Sequence, residues 1–90
     1  MKKYEEIYKY FDRVLFWDYD NIDIKKHSRF IIERIIEYGD FKDIENLQKL
    51  YTKRQIIETI KESRNISRKT ANYWAIKYNL DERDIKCLRK

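Results

Sequence analysis

Arg64, Arg68, Lys69, Asn72, Tyr73 and Lys77 lie within one short stretch of the chain, and the chemistry open to them together is recognition of a nucleic acid. Arginine and lysine neutralise phosphates and release their counterions. Arginine also matches the guanine edge by bidentate geometry, and asparagine matches adenine. The spacing supplies a placement. Ile60 closes the apolar face of one helix, Ile66 plugs a tight turn, and Ser67 caps a second helix whose Ala71 and Trp74 face inward. Arg68, Lys69, Asn72 and Tyr73 are left on the outer face, which is the layout of a helix-turn-helix whose second helix reads DNA. In that layout Arg64 and Lys77 clamp phosphates, Arg68 and Asn72 meet base edges, and Lys53 and Arg54 add charge from the first helix. Two positions depart from the usual pattern. Lys61 stands where the first helix normally carries alanine and must point outward, and Asn65 replaces the turn glycine, tolerable because asparagine accepts the left-handed conformation. An ordinary helical hairpin with a charged wet face is the competing reading.

Charge separates the two readings. The chain has 90 residues and a formal charge of +5. Residues 1–51 carry ten Lys or Arg against eleven Asp or Glu, whereas residues 52–90 carry eleven against five, so the whole positive excess lies with the helical pair. Such a stretch is an electrostatic footprint for phosphates.

The elements that must position this face read as helices throughout. There is no proline and one glycine, and apolar residues recur with a 3.6-residue period. An amphipathic N-terminal helix is expected over 2–13, with Tyr4, Ile7, Tyr8 and Phe11 on one stripe. The apolar knot Val14–Trp17 and the acidic loop Asp18–Asp23 follow. A helix over 24–38 should bury Phe30, Ile31, Ile35 and Tyr38 and stop at Gly39 in the left-handed conformation. Asp40 should cap a helix over 41–50 with Ile44, Leu47 and Leu50 inside, and Thr52 to Gln55 form a capping box for a helix over 53–63. Ser67 should cap a helix over 68–79, and Asp81 a last short one carrying Ile85 and Leu88. The expected architecture is an all-α, compact bundle of five or six short helices in one domain, 1–90, with a helix-turn-helix-like unit at 53–79.

Aromatic residues crowd the N-terminus. Tyr8, Phe11 and Phe16 suit a core, but Tyr4, Tyr10 and Trp17 exceed what a small core needs, so Tyr4, Tyr8, Tyr10 and Trp17 form a candidate protein-binding cluster. No nucleophile, acid/base pair or metal set is visible, which argues against an enzyme. Asp18, Asp20 and Asp23 lack the glycine and terminal glutamate of a calcium loop, and a lone His27 and a lone Cys87 give no zinc spacing, so neither metal nor cofactor is expected. No apolar run reaches the length of a membrane span or signal segment. With one cysteine, a reducing, cytoplasmic setting is expected.

The strings Leu15-Phe16-Trp17-Asp18, Phe30-Ile31-Ile32-Glu33-Arg34-Ile35-Ile36-Glu37-Tyr38-Gly39 and Ser67-Arg68-Lys69-Thr70-Ala71-Asn72-Tyr73-Trp74 resemble a family of small uncharacterised prokaryotic proteins. Genes of that family often stand beside nucleotidyltransferase-like toxins of the abortive-infection type. The resemblance, over residues 14–88, implies an antitoxin or regulatory partner of such a toxin. Taken together, the expectation is a DNA-binding, antitoxin-like regulator that also meets a toxin. The alternatives are a protein-interaction module that leaves DNA alone and an RNA-binding partner of an enzyme. A two-fold dimer would suit a palindromic operator, although no heptad seam marks a dimer face.

Overall fold

The computed structural model describes residues 7–16, 18 and 22–88. Among them the chain is all-helical and has no strand. Four α-helices, α1 (Ser28–Tyr38), α2 (Phe41–Leu50), α3 (Lys53–Glu62) and α4 (Arg68–Lys77), are joined by short loops and flanked by 3-10 turns at Arg13–Phe16, Glu82–Asp84 and Lys86–Leu88. The expected count of five or six helices is thus four among the described residues, because the described stretches before α1 and after α4 form 3-10 turns.

Helix starts are where the sequence places them wherever a side chain caps the backbone. Asp40 accepts from the Asp43 amide while the Asp43 carboxylate accepts from the Asp40 amide, a capping box that opens α2. Those amides hold the Asp40 carboxyl below its usual range. Thr52 and Gln55 form the same reciprocal pair for α3, and Ser67 accepts from the Thr70 amide at the start of α4. Asp81 caps the turn Glu82–Asp84, and its carboxyl is held down to about 2, chiefly by the Arg83 side chain.

Three expectations give way to local competition. The described part of the N-terminal segment is not an α-helix: residues 7–9 form a 3-10 turn. The Asp12 carboxylate accepts from the Val14 amide and draws the backbone out of the helical ladder. Residues 24–27 are a turn instead of the first turn of α1, because Asp23 Oδ1 accepts from the Lys25 and Lys26 amides and His27 Nδ1 accepts from the Asp23 amide. Gly39 is extended, with φ −78°, so it does not end α1 in the left-handed region. Asn79, with φ 53°, is the left-handed residue among those described. It ends α4 in a Schellman motif, with Leu80 N donating to Ala75 O (2.7 Å) and Asn79 N to Ile76 O (3.3 Å).

Gly39 is needed for space. Its amide donates to Ile35 O at 2.7 Å, and a Cβ there would stand 2.7 Å from that same oxygen and 2.9 Å from Asp43 Cβ. Neither atom is the end of a flexible side chain, so the backbone between α1 and α2 would have to shift. Gly39→Ala should therefore cost about 1–3 kcal/mol in a urea melt despite the suitable φ. An unchanged or raised midpoint would mean that the junction relaxes freely.

The core runs along α1, which packs against α2, α3 and the turn Arg13–Phe16. Its buried face is Ile31, Ile32, Ile35 and Ile36; Phe30 is half-buried and Tyr38 is 70% exposed. The buried stripe is therefore rotated from the one the spacing suggests, because α1 is covered by neighbours on two sides. Ile7, Phe11, Phe16 and Ile22 close one end, and Leu47, Ile56, Ile60, Ile66, Ala71, Trp74, Ile85 and Leu88 continue the core towards α4. Tyr51 is buried and its hydroxyl donates to Ile24 O at 2.6 Å, tying the loop before α1 to the end of α2. Burial, with Asp23 nearby, pushes this phenol well above its usual range. No described helix is long and apolar enough to cross a membrane.

Candidate nucleic-acid interface

The basic stretch is held by two carboxylates that sequence reading did not single out. Ser63, buried at the end of α3, donates its hydroxyl to Glu33 Oε2, and Asn65 Nδ2 lies 3.4 Å from both Glu33 oxygens. One turn further along α1, Glu37 Oε1 accepts from the Ser67 amide at 3.0 Å. Ser63 Oγ also accepts from the Asn65 amide. The turn 63–67 is thereby pinned to α1 at both ends. Asn65 does not enter the left-handed region as the turn-glycine analogy suggested, since these side-chain bonds shape the turn without it. From the far side, Cys87 Sγ donates to Ile66 O at 3.0 Å and Lys86 pairs with Glu62 at 2.6 Å. The turn Lys86–Leu88 packs against both α3 and α4.

Trp74 fixes the orientation of α4. Its ring is buried, stacked on Tyr78 with centroids 5.4 Å apart, and met edge-on by Tyr73 at 5.5 Å. Lys53 Nζ lies 5.5 Å from the Tyr78 centroid, so the start of α3 meets the end of α4. With Ala71, Trp74 and Ala75 inside, the outer arc of the helix carries Arg68, Lys69, Asn72, Tyr73, Ile76 and Lys77, all exposed. No acidic residue occurs in α4.

The eight residues expected to touch nucleic acid divide into three groups. Arg64, Arg68 and Asn72 are exposed at the turn and on one edge of α4. Lys69, Tyr73 and Lys77 occupy the other edge, where they line a groove shared with Phe41 and Ile44 of α2. Lys77 Nζ rests 5.3 Å from the Trp74 centroid and 5.9 Å from that of Tyr73, a cation–π arrangement. Lys53 and Arg54 stand apart on α3, where Arg54 pairs with Glu58 at 3.2 Å and Lys53 with the Tyr78 ring. Arg64, Arg68 and Lys69 pair with no carboxylate among the described residues. Lys61 is half-buried.

The N-terminal aromatic cluster is only partly on view. Tyr4 and Trp17 lie outside the described residues. Tyr8 packs against the core, and Tyr10 is at the surface with its ring 6.4 Å from that of Phe11. Among the described residues the most exposed large apolar side chains are elsewhere: Phe41 (83%), Ile76 (82%) and Tyr38 (70%). The sequence held a sign of this, since Phe41 follows a capping residue directly and so sits on the first turn, where few neighbours cover it. Groups of His, Cys, Asp or Glu that could hold a metal are absent among the described residues.

A family model matches residues 11–60, more than half of the chain. The chain belongs to this family of unknown function, DUF6922. The matched segment contains the turn Arg13–Phe16, α1, α2 and most of α3, with the two clamping carboxylates Glu33 and Glu37. Helix α4 and the basic turn lie beyond it. No curated protein and no solved structure matches the chain.

Proposed function

We propose that this member of DUF6922 is a DNA-binding regulator of the antitoxin kind, with α3 and α4 acting as a helix-turn-helix-like pair. The observation that supports this most is the outer arc of α4, where Arg68, Lys69, Asn72, Tyr73 and Lys77 are all exposed, Arg64 precedes them, and no acid intervenes. The Glu37 carboxylate accepts from the Ser67 amide and sets a carboxylate beside the amino end of α4, so in this reading phosphates engage the basic side chains. In this reading Arg64 and Lys77 hold phosphates, and Arg68 and Asn72, on the edge away from the groove, reach base edges. The resemblance to proteins encoded beside nucleotidyltransferase-like toxins supports a toxin as the regulated partner.

Fluorescence anisotropy against DNA upstream of the protein's own gene tests this. Phosphate contacts by Arg64 and Lys77 give a log–log salt slope of about −1.8. Joint replacement of Arg68, Lys69 and Asn72 by alanine should weaken binding by about 100-fold. No binding at low salt, or equal affinity in that variant, overturns the reading, and tighter binding to a hairpin RNA moves it to RNA.

The exposed Tyr38, Phe41 and Ile76 favour a second reading, a module that neutralises a toxin by protein contact alone. A stable complex with the neighbouring gene product, together with no DNA shift, would select it.

A further inference from the structure

The groove between α2 and α4 has walls of opposite sign. Glu37 and Asp40 stand on the wall formed by the end of α1 and the start of α2; Lys69 and Lys77 stand on the α4 wall. Its floor is Ile44 and Trp74, and Phe41 projects from its rim almost wholly uncovered. Tyr38 and Ile76 are exposed as well but do not line this groove.

We infer that this groove is the two-fold interface of a homodimer, with Phe41 of each copy seated against Tyr73 and Trp74 of the other. Charge selects a second copy as the occupant. An isologous interface requires one surface to complement itself under a two-fold rotation, each residue i meeting j while j meets i. Two grooves of this kind, related in that way, bring each lysine wall against an acidic wall and each projecting phenylalanine against an aromatic floor. A uniformly acidic partner, or a nucleic acid, would instead meet Glu37 and Asp40 as like charges. Both carboxylates accept backbone amides, Glu37 from Ser67 and Asp40 from Asp43, and the Asp43 amide holds the Asp40 carboxyl below its usual range. Arg64, Arg68 and Asn72 lie outside the groove lining, so dimerisation leaves that edge of α4 free. DNA binding by the dimer then rests on Arg64, Arg68 and Asn72, a pair of basic edges related by a two-fold axis, with Lys69 and Lys77 taken up by the interface.

Analytical ultracentrifugation of the full chain from about 5 to 500 μM, a span that covers the affinities usual for small interfaces, tests it. A monomer–dimer equilibrium is expected, weakened at least tenfold by Phe41→Asp and retained by Phe41→Leu. Asp at the first position of α2 favours the amino end of a helix, so the variant keeps its fold, which an unchanged circular dichroism melt verifies. A monomer at every concentration overturns the inference, as does a dimer whose dissociation constant is the same in Phe41→Asp. Alanine at Arg68 and Asn72 leaves the dimer intact whether or not it abolishes DNA binding, so the two ideas fail separately.

Discussion

Trp74→Ala should lower the stability of the fold by about 3–5 kcal/mol, the usual cost of truncating a buried aromatic side chain. The reason lies in what the ring joins. It is 3% exposed, stacks on Tyr78 at an interplanar angle of 28°, meets Tyr73 edge-on, and carries Lys77 above it. Through Tyr78 it also reaches Lys53, and so connects the two ends of the α3–α4 pair. Truncation removes the buried area and both ring contacts and leaves a cavity that α1 and the turn Lys86–Leu88 cannot fill without moving. A small domain has only about 5–15 kcal/mol in total, so the variant should be partly unfolded at body temperature. Urea denaturation followed by far-ultraviolet circular dichroism reads this directly. Trp74→Phe keeps an aromatic ring against Tyr78 and should lose less than the alanine variant. A loss below about 1 kcal/mol for alanine would show that α4 is held by other contacts, and the packing argument would fail.

What the chain reveals before folding depends on how far each interaction reaches. The starts of α2, α3 and α4 were legible because their determinants are side chains three residues apart: Asp40 with Asp43, Thr52 with Gln55, Ser67 with Thr70. Ends and junctions were less so. Gly39 suggested a left-handed stop, yet the close approach of Ile35 and Asp43 is what requires a glycine there, and that approach exists only once α1 and α2 have packed. Asn79 took the left-handed role instead. The basic face of α4 was legible, since helical periodicity alone turns Arg68, Lys69, Asn72 and Tyr73 outward from Ala71 and Trp74. Its division into a groove edge and a free edge was not, because that depends on where α2 comes to rest. Nor were Glu33 and Glu37, which act on residues 30 positions away. Their spacing of four on one helix put them on a common side, but nothing local named the turn they hold.

That pair leads to the sharpest conflict between two physical effects. Glu33→Ala removes a negative charge, and if charge alone governed binding the variant should hold DNA more tightly than the parent, since the net positive charge rises by one. Geometry predicts the reverse. Without the carboxylate, the Ser63 hydroxyl, 2% exposed, loses its acceptor, and Asn65 loses the group its amide faces. Breaking a hydrogen bond to a charged acceptor and stranding a buried hydroxyl costs about 2–3 kcal/mol. The turn 63–67 then keeps Glu37, the Cys87 thiol and the buried Ile66 as anchors but loses the one at its amino end, and Arg64 loses its fixed relation to α4. Hydrogen exchange should show faster exchange of the Asn65 and Ser67 amides, and anisotropy should show DNA affinity reduced severalfold in conditions where the variant is still folded. Glu33→Gln keeps an acceptor for Ser63 while removing the same charge, so it should recover most of the stability. If Glu33→Ala and Glu33→Gln both bind DNA more tightly than the parent, the carboxylate acts through its charge, and the pinned turn is irrelevant to recognition. If alanine weakens binding and glutamine does not, the position of the basic edge matters more than its total charge, as a surface that reads bases requires.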